Sequence, residues 1–231
     1  EGFQKKYNTN VDETIIVNDI KYNSESKIHD SGIINNLEFL LRNVNTNSKN
    51  SSSYKEDTHH EILSKLLFKS KYPMIKETKK TKNLLSPIFK ARYSPNKTKD
   101  ISDEERTINY DNIFLMDRLK KNDLVEGGQS ITYGIDFDVL DRLSSRSLMK
   151  MGVAQVISDK KKLDLPKKTS LDNKSSDVVG FLDLNFTDNF SLEYDFSIDN
   201  SLSHKNYDFI SANITLNNLV TSFKFLEEDN N

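Results

Sequence analysis

The clearest pattern in the chain is an alternation of apolar and polar side chains with a period of two residues, beginning at Ser130. Successive side chains of a β-strand point to opposite faces, so this segment predicts a strand with one apolar and one polar face. The apolar positions are Ile131, Tyr133, Ile135, Phe137 and Val139, and those between them are Thr132, Gly134, Asp136 and Asp138.

The same alternation returns at residues 190–199, where Glu193 and Asp195 fall on the polar side. Carboxylates without partners are costly to place in a dry core, so the polar faces of both segments are expected to meet water. We therefore predict that Asp136, Asp138, Glu193 and Asp195 face a hydrated interior.

Ten segments predict β-strands, and helical periodicity is almost absent. Consecutive strands are mostly close in sequence, which indicates an antiparallel, up-and-down arrangement. The pair Asn217 and Asn218 predicts a two-residue hairpin turn, because Asn tolerates positive φ. The predicted strands are residues 12–24, 32–44, 61–74, 84–95, 128–142, 148–158, 178–186, 190–200, 207–216 and 219–227.

The connections between these strands alternate between short and long. Residues 96–127 and 159–177 form long connections, whereas 143–147 and 187–189 are short. In an up-and-down barrel every second connection lies on the same side of the membrane, and outer-membrane barrels have short turns on one side and longer loops on the other. The alternation of short and long connections therefore favours a transmembrane β-barrel. A soluble secreted β-sandwich stays open as an alternative.

Composition is compatible with a barrel. Hydrophobic residues make up 35% of the 231-residue chain, and the mean hydropathy is -0.66. A barrel with a hydrated lumen needs no thick apolar core, so this mixture suffices. No run of about 20 apolar residues exists, which excludes a membrane helix. The 33 basic residues nearly balance the 35 acidic ones, so no nucleic-acid partner is predicted, and the absence of Cys excludes disulfides.

Candidate chemistry is sparse. No nucleophile elbow, metalloprotease motif or phosphate loop is present, so we predict no enzymatic activity, no catalytic residue and no cofactor. The adjacent histidines His59 and His60 would point to opposite faces of a strand, and no metal site is predicted. The connection 96–127 contains Arg118, Asp123 and Glu126. A loop of this length is either functional, folding into the interior as a plug, or solvated and disordered.

A set of residues at the end of this loop and the start of the next strand resembles the signature of the LptD family, also called the organic solvent tolerance protein family. The resemblance consists of an Asn-x-Phe run, a nearby Arg, an Asp-x-x-Glu-Gly-Gly turn and a strand that opens with Tyr-Gly. It extends in order over about residues 60–227. The matching residues are Asn112, Phe114, Arg118, Asp123, Glu126, Gly127, Gly128, Tyr133 and Gly134.

The resemblance implies that the chain is a component of lipopolysaccharide (LPS) transport and assembly in the outer membrane of a Gram-negative cell. It implies passage of LPS through a hydrated barrel lumen and laterally into the outer leaflet. The implied partners are LPS, membrane lipid, periplasmic LPS bridge proteins and an LptE-like lipoprotein plug. A general outer-membrane pore or ligand transporter is the alternative.

The same resemblance predicts the domain organisation. Residues 1–231 would be a partial barrel domain, without the periplasmic N-terminal domain and the terminal barrel strands of the family. About ten strands from a larger barrel are expected to form an open, curved sheet rather than a closed barrel.

Overall fold

The structure is a computed structural model that describes residues 2–6 and 10–229. Thirteen antiparallel strands form one sheet that does not close. The predicted all-β, up-and-down, open sheet is thus confirmed. The proposed domain, 1–231, includes residues 1, 7–9 and 230–231, which lie outside the described residues. The strands are β1 Gly2–Lys6, β2 Asp12–Asn23, β3 Lys27–Ile28, β4 Ile34–Lys49, β5 Asp57–Lys71, β6 Met74–Glu77, β7 Thr81–Ser94, β8 Gly128–Asp141, β9 Ser147–Ser158, β10 Val178–Thr187, β11 Phe190–Ile198, β12 Lys205–Leu216 and β13 Leu219–Glu228.

The strands follow one another in chain order across the sheet. The main path runs β1-β2-β4-β5-β7-β8-β9-β10-β11-β12-β13, while β3 pairs with β4 and β6 pairs with β7. All ten predicted strands are present. The three additional strands are short, and their sequences have too few residues to display an alternation. Among the described residues, helix is limited to α1 (Tyr110–Ile113) and a 3-10 turn at Lys167–Thr169.

The polar stretch predicted as a connection at 45–60 is mostly strand. β4 continues to Lys49 and β5 begins at Asp57, so only residues 50–56 remain as a loop. The register explains the extension, because Lys49 pairs with Asp12 of β2 and Ser48 pairs with Asp57. Ladder hydrogen bonds on both edges therefore outweigh the low strand propensity of this Asn- and Ser-rich sequence.

Pro87 lies inside β7, where it pairs with Ile135 of β8. On its other edge, β5 has ended at Lys71 and β6 has not yet begun at Met74. A proline has no amide hydrogen to donate, so an interruption of the neighbouring strand at this position avoids a missing ladder bond.

The two faces of the sheet differ in what covers them. On one face, which we call the outer face, Ile131 is 43% and Tyr133 is 42% exposed. The opposite, inner face contains Ser130 and Thr132, which are buried beneath residues 95–127. We call residues 95–127 the inner segment. No helix in the described part of the chain is long and apolar enough to cross a membrane.

Two small apolar clusters fix the long connections against the inner face. In the first, Ile113 and Leu124 of the inner segment pack with Val156 of β9 and with Leu165 and Leu171 of the connection 159–177. In the second, Val125 packs with residues of β2, β4 and β5, namely Ile15, Val17, Leu40, Val44 and Leu63. The core of the protein is therefore formed between the sheet and the loops that cover one face of it.

Candidate functional site

The inner segment is organised at its middle by the short helix α1. The side chain of Asn109 accepts a hydrogen bond from the amide of Asn112 at 3.1 Å, and the side-chain oxygen of Asn112 accepts one from the amide of Asn109 at 2.9 Å. This reciprocal capping box satisfies two amides that a helix start leaves free. The amide group of Asn112 also donates to the carbonyl of Thr107 at 3.1 Å. The signature residue Asn112 thus sets where the helix begins.

Two aromatic rings of the helix region lie directly on the sheet. The rings of Tyr110 and Phe114 pack edge to face, with centroids 5.5 Å apart. A Cβ atom on Gly134 of β8 would lie 2.7 Å from the Phe114 ring and 2.6 Å from the carbonyl oxygen of Val153. Only a residue without a side chain lets the ring approach the sheet this closely. The Tyr110 hydroxyl also donates to the carboxylate of Asp136.

A buried carboxylate, Glu126, connects the inner segment to the sheet and to the next long connection. Arg118 donates to both of its oxygens, at 2.7 and 2.5 Å, in a bidentate pair. Arg92 of β7 donates at 2.7 Å and Lys162 at 3.0 Å. Glu126 is 2% exposed, so one carboxylate holds three cations away from water.

Electrostatics keep this carboxylate ionised. Burial alone would raise the pKa of Glu126, but the positive charges of Arg118, Arg92 and Lys162 outweigh burial and hold that pKa well below its ordinary value. Burial lowers the pKa of the Lys162 ammonium group, and Glu126 opposes that shift.

Cations of the sheet also bind the main chain of the inner segment. The Lys65 ammonium group donates to the carbonyl of Met116 at 2.8 Å. Lys90 donates to the carbonyl of Phe114, and Arg92 donates to that of Leu115. Three consecutive carbonyls are thus held by three strand cations. A second anchor, Arg42, binds the carbonyls at 121 and 124 and the carboxylates at 19 and 117.

Asp123 connects the inner segment to the loop 50–56. The Tyr54 hydroxyl donates to Asp123 at 2.6 Å, and the Lys99 ammonium group lies 3.5 Å from the same carboxylate oxygen. Lys99 also lies over the Tyr54 ring, 3.6 Å from its centroid. Burial and the neighbouring Asp123 charge raise the pKa of Tyr54, so this hydroxyl stays a hydrogen-bond donor.

The two glycines at the start of β8 meet different requirements. Gly127 donates its amide to the Thr98 hydroxyl at 2.9 Å, and a Cβ atom on it would lie 2.1 Å from the carbonyl oxygen of Asn96. Gly128 has a φ of +81°, which side chains rarely adopt. The first glycine therefore allows a close approach between chain segments, and the second allows the turn into the strand.

The four carboxylates predicted to face a hydrated interior all lie on the inner face. Asp136 is connected through the strand register, by way of Gly152 and Phe181, to Asp195. A neighbouring row connects Asp138 to Glu193 by way of Lys150 and Asp183. The assignment of this face to the lumen of a barrel stays a prediction. Tyr133, in contrast, lies on the outer face, where its hydroxyl donates to Gln155.

Sequence reasoning identified the loop side of this network but missed its strand side. It did not select the buried strand cations Arg42, Lys65, Lys90 and Arg92. A usable signal was present in β7, where Lys90 and Arg92 alternate with Phe89, Ala91 and Tyr93. That alternation places the two cations on the polar face, although it does not identify their partners.

Comparison with known families supports the family resemblance of the sequence. A model of the LptD family, described as LPS transport system D, matches residues 35–225. This range includes the inner segment and most of the sheet. No curated protein matches the chain. Since the family model covers most of its length, the chain belongs to the LptD family of LPS transport system components.

Proposed function

We propose that this chain forms part of the wall of an outer-membrane barrel that passes LPS through a hydrated interior and releases it laterally into the outer leaflet. The family takes part in LPS transport. In this proposal periplasmic LPS bridge proteins supply the substrate and an LptE-like lipoprotein plugs the barrel. The acyl chains of LPS then leave into membrane lipid while the polar saccharide stays in water.

The observation that carries this proposal is the difference between the two faces of the sheet. The outer face exposes large apolar side chains along many strands, which suits contact with lipid. Examples with their exposed fractions are Ile20 at 66%, Ile62 at 68%, Ile131 at 43%, Met151 at 40% and Phe223 at 63%. In a water-facing surface such a wide apolar area would favour aggregation.

The inner face has the opposite character, which suits a hydrated passage. It carries the carboxylates Asp136, Asp138, Glu193 and Asp195, together with the cations that hold the inner segment. Two connections, 95–127 and 159–177, lie over this face and leave from the same end of the sheet. A covering of this kind would restrict leakage of small solutes through the barrel between transport events.

Depletion of the protein from its own cells, followed by restoration with the plasmid-borne gene, tests this proposal. Newly made LPS at the cell surface is quantified with an LPS-specific antibody, and entry of a small hydrophilic antibiotic is measured in parallel. We expect surface LPS to fall on depletion and to return on restoration. Unchanged surface LPS with reduced antibiotic entry would instead identify a general pore and would refute the proposal.

A further inference from the structure

The inner face holds a group of three neighbouring cations whose partners in the inner segment are mostly uncharged. Lys90 and Arg92 are two residues apart on β7 and therefore point to the same face. Arg92 pairs across the ladder with Leu67 of β5, and Lys65 is two residues before Leu67. We call Lys65, Lys90 and Arg92 the cation ladder. All three side chains are buried, at 7% exposure or less.

Each cation of the ladder donates to a main-chain carbonyl of the inner segment. Lys65, Lys90 and Arg92 donate to the carbonyls of residues 116, 114 and 115 respectively. Carboxylate contacts are fewer. Arg92 shares Glu126 with two other cations, and Lys65 lies 3.8 Å from Asp117. A carbonyl bears only a partial charge, so these cations are bound by weaker acceptors than a phosphate or a carboxylate would supply.

The ladder also contains a buried nitrogen atom for which the described residues supply no acceptor. The Nε atom of Arg92 is buried and has no hydrogen-bond partner among the described residues. Buried donors are nearly always satisfied in folded proteins, and an unsatisfied donor is a position where a bound ion or another ligand group can supply the acceptor. The guanidinium group is planar and presents its donors as a fork that matches the oxygens of an anionic group.

We infer that the cation ladder is a binding site for the phosphate groups of LPS, and that the carbonyls of Phe114, Leu115 and Met116 occupy it when no LPS is present. This inference rests on the proposed function and identifies the part of the substrate that the inner face recognises. In the bonds to the carbonyls only the donor is charged, whereas a phosphate also carries a full negative charge and can accept from more than one of these cations, so a phosphate competes well with the carbonyls.

The inner segment is suited to such an exchange. Its Arg118–Glu126 pair lies within the segment, so this bidentate contact stays intact when the segment leaves the wall. The ladder cations, by contrast, lose their main acceptors and then need new ones. Phosphate groups on an incoming LPS molecule supply these acceptors as the segment is displaced.

Equilibrium binding to the complete protein in detergent, purified together with its lipoprotein partner, tests the ladder. The probes are intact LPS and the same LPS after removal of its phosphates. We expect wild-type protein to bind intact LPS about tenfold more tightly than dephosphorylated LPS, which corresponds to one charge-assisted contact. Lys90→Gln and Arg92→Gln should each remove most of this preference, whereas Lys90→Arg should retain it.

Matched controls separate the possible outcomes. Lys80→Gln removes an exposed lysine from a turn and should behave as wild type. Heat-modifiable migration on gels checks that each variant is folded, and a variant that fails this check is replaced by Lys65→Gln. Equal binding of both LPS forms by wild-type protein would refute the ladder while leaving LPS transport intact, and no binding of either form would refute both proposals. Displacement of LPS by phosphatidylglycerol vesicles or inorganic phosphate at equal concentration would identify a general anion site and overturn the assignment to LPS.

Discussion

Glu126→Gln is the substitution that most sharply tests how the inner segment is held. Glu126 receives four hydrogen bonds, two from Arg118 and one each from Arg92 and Lys162, at distances between 2.5 and 3.0 Å. The amide of Gln is uncharged, and its nitrogen directs hydrogens toward one of these cations. The three buried cations Arg118, Arg92 and Lys162 then lose the negative charge that they share. Breaking a buried ion pair by removing one partner costs about 3–5 kcal/mol.

That cost should appear as local opening rather than as loss of the sheet. The inner segment is bound to the sheet by side chains, whereas β8 is held by ladders on both edges, so the segment opens first. An energy of about 3–5 kcal/mol corresponds to a rise in the open population of roughly 10²-fold to several thousand-fold. Hydrogen exchange is measured by mass spectrometry. Exchange in residues 96–127 reports local opening of the inner segment, and exchange in β8 reports loss of the sheet.

A matched control is available in Glu77→Gln. Glu77 is exposed and lies 4.0 Å from Arg142, and exposed pairs of this kind contribute about 0–1 kcal/mol. We expect this control to leave exchange in residues 96–127 unchanged. If Glu126→Gln also changed exchange in that range by less than about fivefold, the carboxylate would not be what holds the segment.

Three further predictions concern close packing and pH. Gly127→Ala and Gly134→Ala would each place a Cβ atom within 2.6 Å of a backbone carbonyl oxygen, so each should lower the free energy of unfolding in denaturant by about 1–3 kcal/mol. Gly2→Ala is the control, since its nearest atom would lie at 3.5 Å; equal stability of all three variants would contradict the packing. The pKa of Glu126 is lowered in the folded state, so its stabilising effect is complete above its ordinary pKa and is lost only as pH falls through the lowered value. Hydrogen exchange in residues 96–127, corrected for the intrinsic rate, should therefore stay constant from pH 7 to about pH 4.5; a marked rise within that window would refute the electrostatic account.

The sheet was predictable from sequence because several of its strands, above all β8 and β11, alternate apolar and polar residues. The apolar positions of β8 and β11 identify their outer faces directly, and the register follows once neighbouring strands are antiparallel. The short strands were not predictable. β3 has two residues, and β6 follows Pro73, so neither shows a period. The polar end of β4 was missed because its Asn and Ser residues favour turns, and only its two neighbours make it a strand.

Only those residues of the site that lie in the inner segment could be predicted from the sequence. Arg118 and Glu126 are eight residues apart, and charged residues in a long loop invite a local pairing. Arg92 and Lys162 are far from Glu126 in sequence, so their convergence depends on the fold of the whole sheet. The same reason hides Tyr54 as the partner of Asp123. Periodicity indicates which face a strand residue occupies, but it does not indicate which loop residue lies above it.

We expect the outer face to meet lipid while the inner face meets water and the inner segment. The chain has no Trp, so a single introduced Trp is an unambiguous reporter. Tyr194→Trp and Glu193→Trp place it at adjacent positions on opposite faces of β11. In proteoliposomes with brominated lipids, we predict strong quenching of fluorescence for Tyr194→Trp and little for Glu193→Trp. Equal quenching at both positions, or quenching only at position 193, would contradict the account.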